Sequence, residues 1–292
     1  MGMIATIASP PVQLNQLLTA VQTDWLSLLI VCVEIASIAL YFHGVRRLER
    51  KGRKWPKART ISFVSGIVLV WIATGSGLAS YDDSVFTVHV IQHLLLMNFA
   101  PIFIALSAPI TLLIQAGSRS VQTRTISILH TKPIRFITFP FLVWILNYAT
   151  MYIYFLTPVY ELSIRHPLFH DYTHLHFLVV GLLFWTTVVG VDPSGWKLGN
   201  LARLGFILSG IPFSAFLGIA LMGTKKTISP AHTLTDIHSG GSVLWAFGEL
   251  TNVIALVVVA AQWAKSDQRE AERMDRILDR ELAEGAGPDS RI

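Results

Sequence analysis

Tyr81-Asp82-Asp83-Ser84-Val85-Phe86-Thr87-Val88-His89-Val90-Ile91-Gln92-His93-Leu94-Leu95-Leu96-Met97-Asn98 forms the mouth of a long apolar segment, with His89, His93 and Met97 four residues apart. At about 100° per residue that spacing sets all three on one helical stripe, two imidazoles above a thioether. Two neutral imidazoles one turn apart can share a borderline metal ion, and a thioether below them favours Cu(I). The same side chains would also serve as filling between helices, so the stripe needs partners from elsewhere in the chain to define a site.

The composition says where such a segment resides. Of 292 residues, 52% are hydrophobic and 14% charged, with a mean hydropathy of +0.54. That balance excludes an ordinary soluble domain and predicts a polytopic membrane protein. In hydrocarbon every backbone polar group must be satisfied within its own segment, so the predicted fold is all-α. Seven apolar segments are expected, near 24–42, 61–79, 85–115, 134–156, 171–191, 201–222 and 241–264, with Pro101 and Pro109 kinking or ending the third. The chain then divides into a lead (1–23), a seven-helix domain (24–264) and a charged tail (265–292). The lead has no basic n-region or cleavage signal and reads as polar chain, not a removed signal peptide. The tail alternates charge and is expected to extend the seventh helix as a solvated one. The one cysteine, Cys32, excludes an intrachain disulfide and a cysteine-based metal cluster.

Orientation follows from the basic residues. Placing the 43–60 loop in the cytoplasm puts every Lys and Arg of the 23 there except Arg165, Lys225 and Lys226. The positive-inside rule then predicts an outer N-terminus and an inner C-terminus. The same rule accounts for the pI near 9.4 without a nucleic-acid partner. With that topology His43 and His130 lie inside, and the other eight histidines gather at the outer ends of helices three, five and seven.

Convergence of three such helix ends would make a metal site open to the outside. His89 and His93 are the first candidate ligands, followed by His170, His174 and His176, then Asp236, His238 and Met97. His170 and His174 share a face, whereas His176 lies about 200° from His174 and cannot join it on one ion within a continuous helix. His166 precedes Pro167 and is expected in extended chain. Asp82 and Asp83 are expected to favour the start of helix three through its dipole. Glu34 and Glu249 fall inside predicted spans, where ionisable groups are costly. Asn98, Asn147 and Asn252 read as interhelical hydrogen-bonding groups.

An ordered set of motifs resembles the CtaG family of membrane assembly factors for caa3/aa3-type cytochrome c oxidase. It comprises Tyr41-Phe42-His43-Gly44-Val45-Arg46-Arg47, Trp55-Pro56, Ser76-Gly77-Leu78-Ala79-Ser80-Tyr81 and the His89 to Leu96 block. It continues through Ala100-Pro101, Ala108-Pro109, His174-Leu175-His176-Phe177, Phe184-Trp185, Asp192-Pro193, Asp236 with Gly240-Gly241, and Gly248-Glu249-Leu250. The chain departs from the family pattern at Val90, at Ile237-His238 and at Ser214. The resemblance implies a plasma-membrane protein of bacteria that acts with cytochrome c oxidase subunits, at their copper centres. The sequence carries no catalytic nucleophile motif, P-loop or dinucleotide fingerprint, so an enzyme is not expected. The expected cargo is copper, as Cu(I), passed on by ligand exchange. A haem protein, a copper or proton transporter, and a metal-free assembly scaffold are the competing readings.

Overall fold

The computed structural model describes residues 20–285, so most of the predicted lead and the end of the tail lie outside the described residues. Thirteen α-helices run in order: α1 (Trp25–Arg50), α2 (Lys57–Gly75), α3 (Phe86–Leu94), α4 (Ala100–Leu106), α5 (Pro109–Ala116), α6 (Arg119–Leu129), α7 (Lys132–Ile137), α8 (Pro140–Leu156), α9 (Val159–Arg165), α10 (Pro167–Val189), α11 (Asn200–Leu208), α12 (Ile211–Met222) and α13 (Leu234–Gly285). Among the described residues the one β feature is an isolated bridge between Val21 and Ser76. The chain is thus an all-α protein of membrane type. Among the described residues six stretches are long and apolar enough to cross a bilayer: α1, α2, residues 86–116, α10, residues 200–222 and α13. The fourth predicted segment is instead a bent pair, α8 and α9 meeting at 72°, and counts as a seventh span if taken as one. Pro158, between them, has no N–H with which to continue the α8 ladder.

Large apolar side chains such as Trp25, Leu40, Ile61, Leu168, Phe216 and Val257 point outward, the surface that lipid tails would cover. At 52 residues, α13 is about 78 Å long, more than twice the roughly 30 Å of a hydrocarbon core. Its residues 264–282 are exposed, as the charge alternation predicted.

The third span is not a straight rod, and its breaks set the packing. A π turn at Leu95–Phe99 joins α3 to α4. Pro101 cannot donate to the carbonyl of Met97, four residues back. Trp185 Nε1 of α10 donates to that carbonyl instead, at 3.1 Å. Gly181 lies against the same group so closely that a Cβ would sit 2.3 Å from the Met97 oxygen. The Pro101 and Gly181 pair therefore locks α10 beside the third span. Farther along, Ala108 adopts a left-handed φ of 53° before Pro109. Near that break Ser62 Oγ adds a bond of 2.7 Å to the Phe103 carbonyl, which also accepts from the Ser107 amide, and Tyr41 OH donates to the Ser107 carbonyl at 2.9 Å.

The end of the bundle carrying the basic loop is tied down by charge. Asp192 accepts from the Ile110 and Thr111 amides and the Thr111 hydroxyl at 3.1, 2.7 and 2.6 Å, capping α5. Buried Arg203 donates to the last carbonyls of α10, Val188 and Val189, and to Gln262 of α13, each at 2.6 Å.

The glycine contact gives a direct test. Gly181→Ala should destabilise the chain by about 1–3 kcal/mol through overpacking against backbone, read as a lower thermal midpoint in detergent. Gly205→Ala, whose Cβ would meet nothing within 4 Å, should leave the midpoint unchanged or raise it.

Candidate metal centre

The centre is built at the start of α3. Val85, the residue before it, supplies no side-chain cap. The free amides of Phe86 and Thr87 donate instead to Asp236 of α13 at 2.7 and 3.1 Å, and the Thr87 hydroxyl adds a bond of 2.7 Å. This cross-helix cap fixes the depth and rotation of α3. Gly240 allows the approach, because a Cβ there would lie 2.4 Å from the Phe86 ring.

With α3 fixed, His89 and His93 face His170 and His174 of α10. All four are buried, His89 completely. Ring centroids are 4.4 Å apart for His89–His93, 4.3 Å for His170–His174, 5.1 Å for His89–His170 and 5.4 Å for His93–His174. The four rings thus form a closed quadrilateral. A nitrogen about 2.0 Å from an ion places its ring centroid roughly 3 Å out, so four imidazoles round one ion have neighbouring centroids roughly 4.5–5 Å apart. The observed edges straddle that spacing. One nitrogen each of His89, His93 and His170 lie within 4.8 Å of one another, and so do donor atoms of Asp82, His170 and His174. The two groups share His170.

The surroundings orient the rings. Tyr154 OH lies 2.9 Å from His89 Nε2 and 2.8 Å from Ser163 Oγ. His89 Nδ1 is 3.3 Å from the Asp82 carbonyl. Gln92, between the two α3 histidines, is buried and donates to the Asp82 carboxylate at 2.9 Å and the Ala73 carbonyl at 2.8 Å. The held Asp82 carboxylate stands 3.9 Å from His170 Nε2, with the exposed Asp83 carboxylate 3.6 Å from His170 Nδ1. Burial pushes the Asp82 carboxyl up to about 7; neighbouring Asp83 adds to this and the Gln92 bond opposes it. A cation beside it would reverse the effect.

Both nitrogens of His93, and Nε2 of His170 and of His174, are buried without a hydrogen-bond partner among the described residues. Leaving such groups unpaired costs about 1–3 kcal/mol each. Ligand-capable nitrogens gathered within 4.8 Å of one another suit an ion.

Four of the sequence candidates take other places. His176, on the far side of α10 as its 200° offset requires, meets the Thr150 hydroxyl at 3.0 Å. His238 Nε2 lies 2.9 Å from the Thr224 carbonyl. Asp236 is the cap of α3. Met97 is buried in the apolar core below the rings, the π turn having altered the helical register just above it. The rings therefore converge from two membrane helices, not three; the seventh contributes the cap. His166 is extended, as its following proline predicted. Asp82, which the sequence places at the helix start as a dipole partner able also to attract cations, stands among the potential ligands. His232, buried and 2.6 Å from Tyr160 OH, adds a second polar pair beside the site. Glu249 accepts from Ser214 at 2.9 Å, and Asn252 donates to the same Ser214 at 3.2 Å, so these polar groups do link α12 to α13.

Fold and site together define a polytopic helical membrane protein with a buried histidine centre near one end of the bundle. Residues 39–266 match the model of the cytochrome c oxidase caa3 assembly factor family (Caa3_CtaG), and the chain belongs to that family. Uncharacterised proteins of Mycobacterium bovis (Mb0105) and Mycobacterium tuberculosis (MT0111) are each 31% identical over 265 residues. One of Mycobacterium leprae (ML1998) is 32% identical over 262 residues. Each alignment covers 84% of this chain and 40% of the relative, so the chain spans well under half of these longer proteins. No solved structure matches.

The Asp82 environment predicts a pH effect. A carboxyl whose folded pKa is raised from 3.8 to about 7 keeps a proton that the unfolded chain loses, so its contribution to stability declines as pH rises through that window. The thermal midpoint of metal-free wild type should therefore lose ground to Asp82→Asn between pH 4 and 7 and then level off. A gap that is constant with pH, or that moves the other way, contradicts this assignment.

Proposed function

We propose that this chain supports cytochrome c oxidase assembly by holding copper as Cu(I) at His89, His93, His170 and His174, with Asp82 completing the set, and by passing it to an oxidase subunit at the outer face of a bacterial plasma membrane. The observation that carries the reading is the closed quadrilateral of rings, three of which (His93, His170 and His174) keep buried nitrogens without a partner among the described residues. Imidazoles suit copper, and for a given nitrogen site Cu(II) and its neighbours bind more tightly than earlier divalent ions. Membership of an oxidase assembly family supports an oxidase subunit as the partner and, since that oxidase contains copper, favours copper over zinc.

The ligand set offers transfer as well as binding. Three or four neutral imidazoles hold Cu(I) without thiolate, so an incoming soft ligand can displace them one at a time. His170 belongs to both overlapping ligand groups and can remain attached while the others exchange. The competing haem reading fits less well: the Phe177 ring stands 4.1 Å from His93, and rings packed at such distances leave no slot for a porphyrin.

Anaerobic Cu(I) titration of the purified chain tests the proposal. Wild type should bind copper tightly, and His89→Ala/His93→Ala should weaken it by about 100-fold or more. His176→Ala and His238→Ala should stay within a few-fold of wild type. Cells carrying the double variant should assemble oxidase deficient in copper. Wild-type affinity in the double variant would contradict the site, and full oxidase activity in those cells would favour a metal-free scaffold.

A further inference from the structure

The proposed function leaves the Tyr41 to Arg47 motif unused, at the opposite end of the bundle from the histidines. There α1 presents His43, Arg46, Arg47 and Arg50 at i, i+3, i+4 and i+7, one helical face. Together they line a shallow concavity of about 340 Å³. All four are exposed, and among the described residues none of the three arginines is paired with a carboxylate.

The basic face runs directly into an apolar groove. His43 and Arg47 also border this second hollow, of about 370 Å³, between α1, α2, α5 and the start of α6. Its floor is Gly44, where a Cβ would touch Leu112 at 3.3 Å, and Phe63, stacked on Tyr41 at 4.1 Å. Its outer walls include Leu40 and Leu113, which are 72% and 51% exposed. Lys51 adds a further cation at the same end, its ammonium donating to the Ala116 and Gly117 carbonyls at 3.0 and 2.9 Å. A slot with an apolar body opening sideways and an unpaired arginine face at its membrane-surface end matches one ligand class in shape and charge. Guanidinium groups bind phosphate oxygens through directed, charge-assisted hydrogen bonds, and basic hollows between membrane helices recognise anionic head groups.

We propose that this groove is a binding site for one anionic phospholipid, its phosphate on Arg46, Arg47 and Arg50 and an acyl chain along Gly44, Phe63 and Leu113. The proposal is independent of copper, since neither the histidine centre nor its ligands take part.

The test uses the full chain, stripped of lipid in detergent and offered phosphatidylglycerol or phosphatidylcholine with identical acyl chains, with retained lipid read by native mass spectrometry. Wild type should retain phosphatidylglycerol about tenfold over phosphatidylcholine. Arg46→Gln/Arg47→Gln/Arg50→Gln should lose that preference. Arg119→Gln/Arg124→Gln/Lys132→Gln, which removes equal charge from α6 and α7, should keep it. Leu113→Trp, which fills the groove and keeps every charge, should lose phosphatidylglycerol, so a loss in the arginine variant is not mistaken for misfolding. An excess of inorganic phosphate should not displace the lipid. Equal retention of the two lipids by wild type, unchanged retention in the arginine variant or in Leu113→Trp, an equal loss in the α6–α7 variant, or displacement by phosphate alone would each overturn the proposal.

Discussion

Everything at the histidine end depends on burying four imidazoles between two helices, where three of them, His93, His170 and His174, keep nitrogens without a partner among the described residues. Each unpaired atom works against folding, so a chain selected only for stability would place apolar side chains there. The cost is explained if the nitrogens are reserved for an ion, whose binding would return that energy through coordination and couple occupancy to the rigidity of α3 against α10.

Much of the surrounding structure holds that arrangement in register. The Met97 carbonyl, deprived of its helical donor by Pro101, bonds to Trp185 on α10 and meets the bare backbone of Gly181. Asp236 fixes the start of α3 from α13, and Gln92 anchors Asp82 toward His170. At the basic end Asp192 repeats the device used by Asp236, each carboxylate gripping two successive amides and a threonine hydroxyl. The same residue type therefore caps helices at both ends of the bundle and offers a possible ligand, in Asp82, at one.

The periodic parts of this account were legible in the sequence. Long apolar runs gave the spans, and the i, i+4 pairs His89/His93 and His170/His174 announced two helical faces, because spacing along a helix fixes direction. The 200° offset between His174 and His176 allowed only one of them on a shared ion within a continuous helix, without saying which. What spacing does not encode is how a carboxylate in a turn is aimed. Asp82 and Asp236 look alike in sequence, and tertiary packing alone sends one toward His170 and the other to the amides of α3. Met97 fell outside the site because a π turn, which local propensity does not reveal, begins two residues before it. The 72° bend at Pro158 was hidden within an otherwise continuous apolar stretch for a similar reason: proline marks a break but not its angle.

X-ray absorption spectroscopy of the Cu(I)-loaded chain addresses the central claim most directly. Three or four nitrogen scatterers at about 2.0 Å, with the outer-shell pattern of imidazole rings and no sulfur, is the predicted spectrum. A sulfur scatterer from Met97, or a first shell without imidazole, would contradict the four-ring centre.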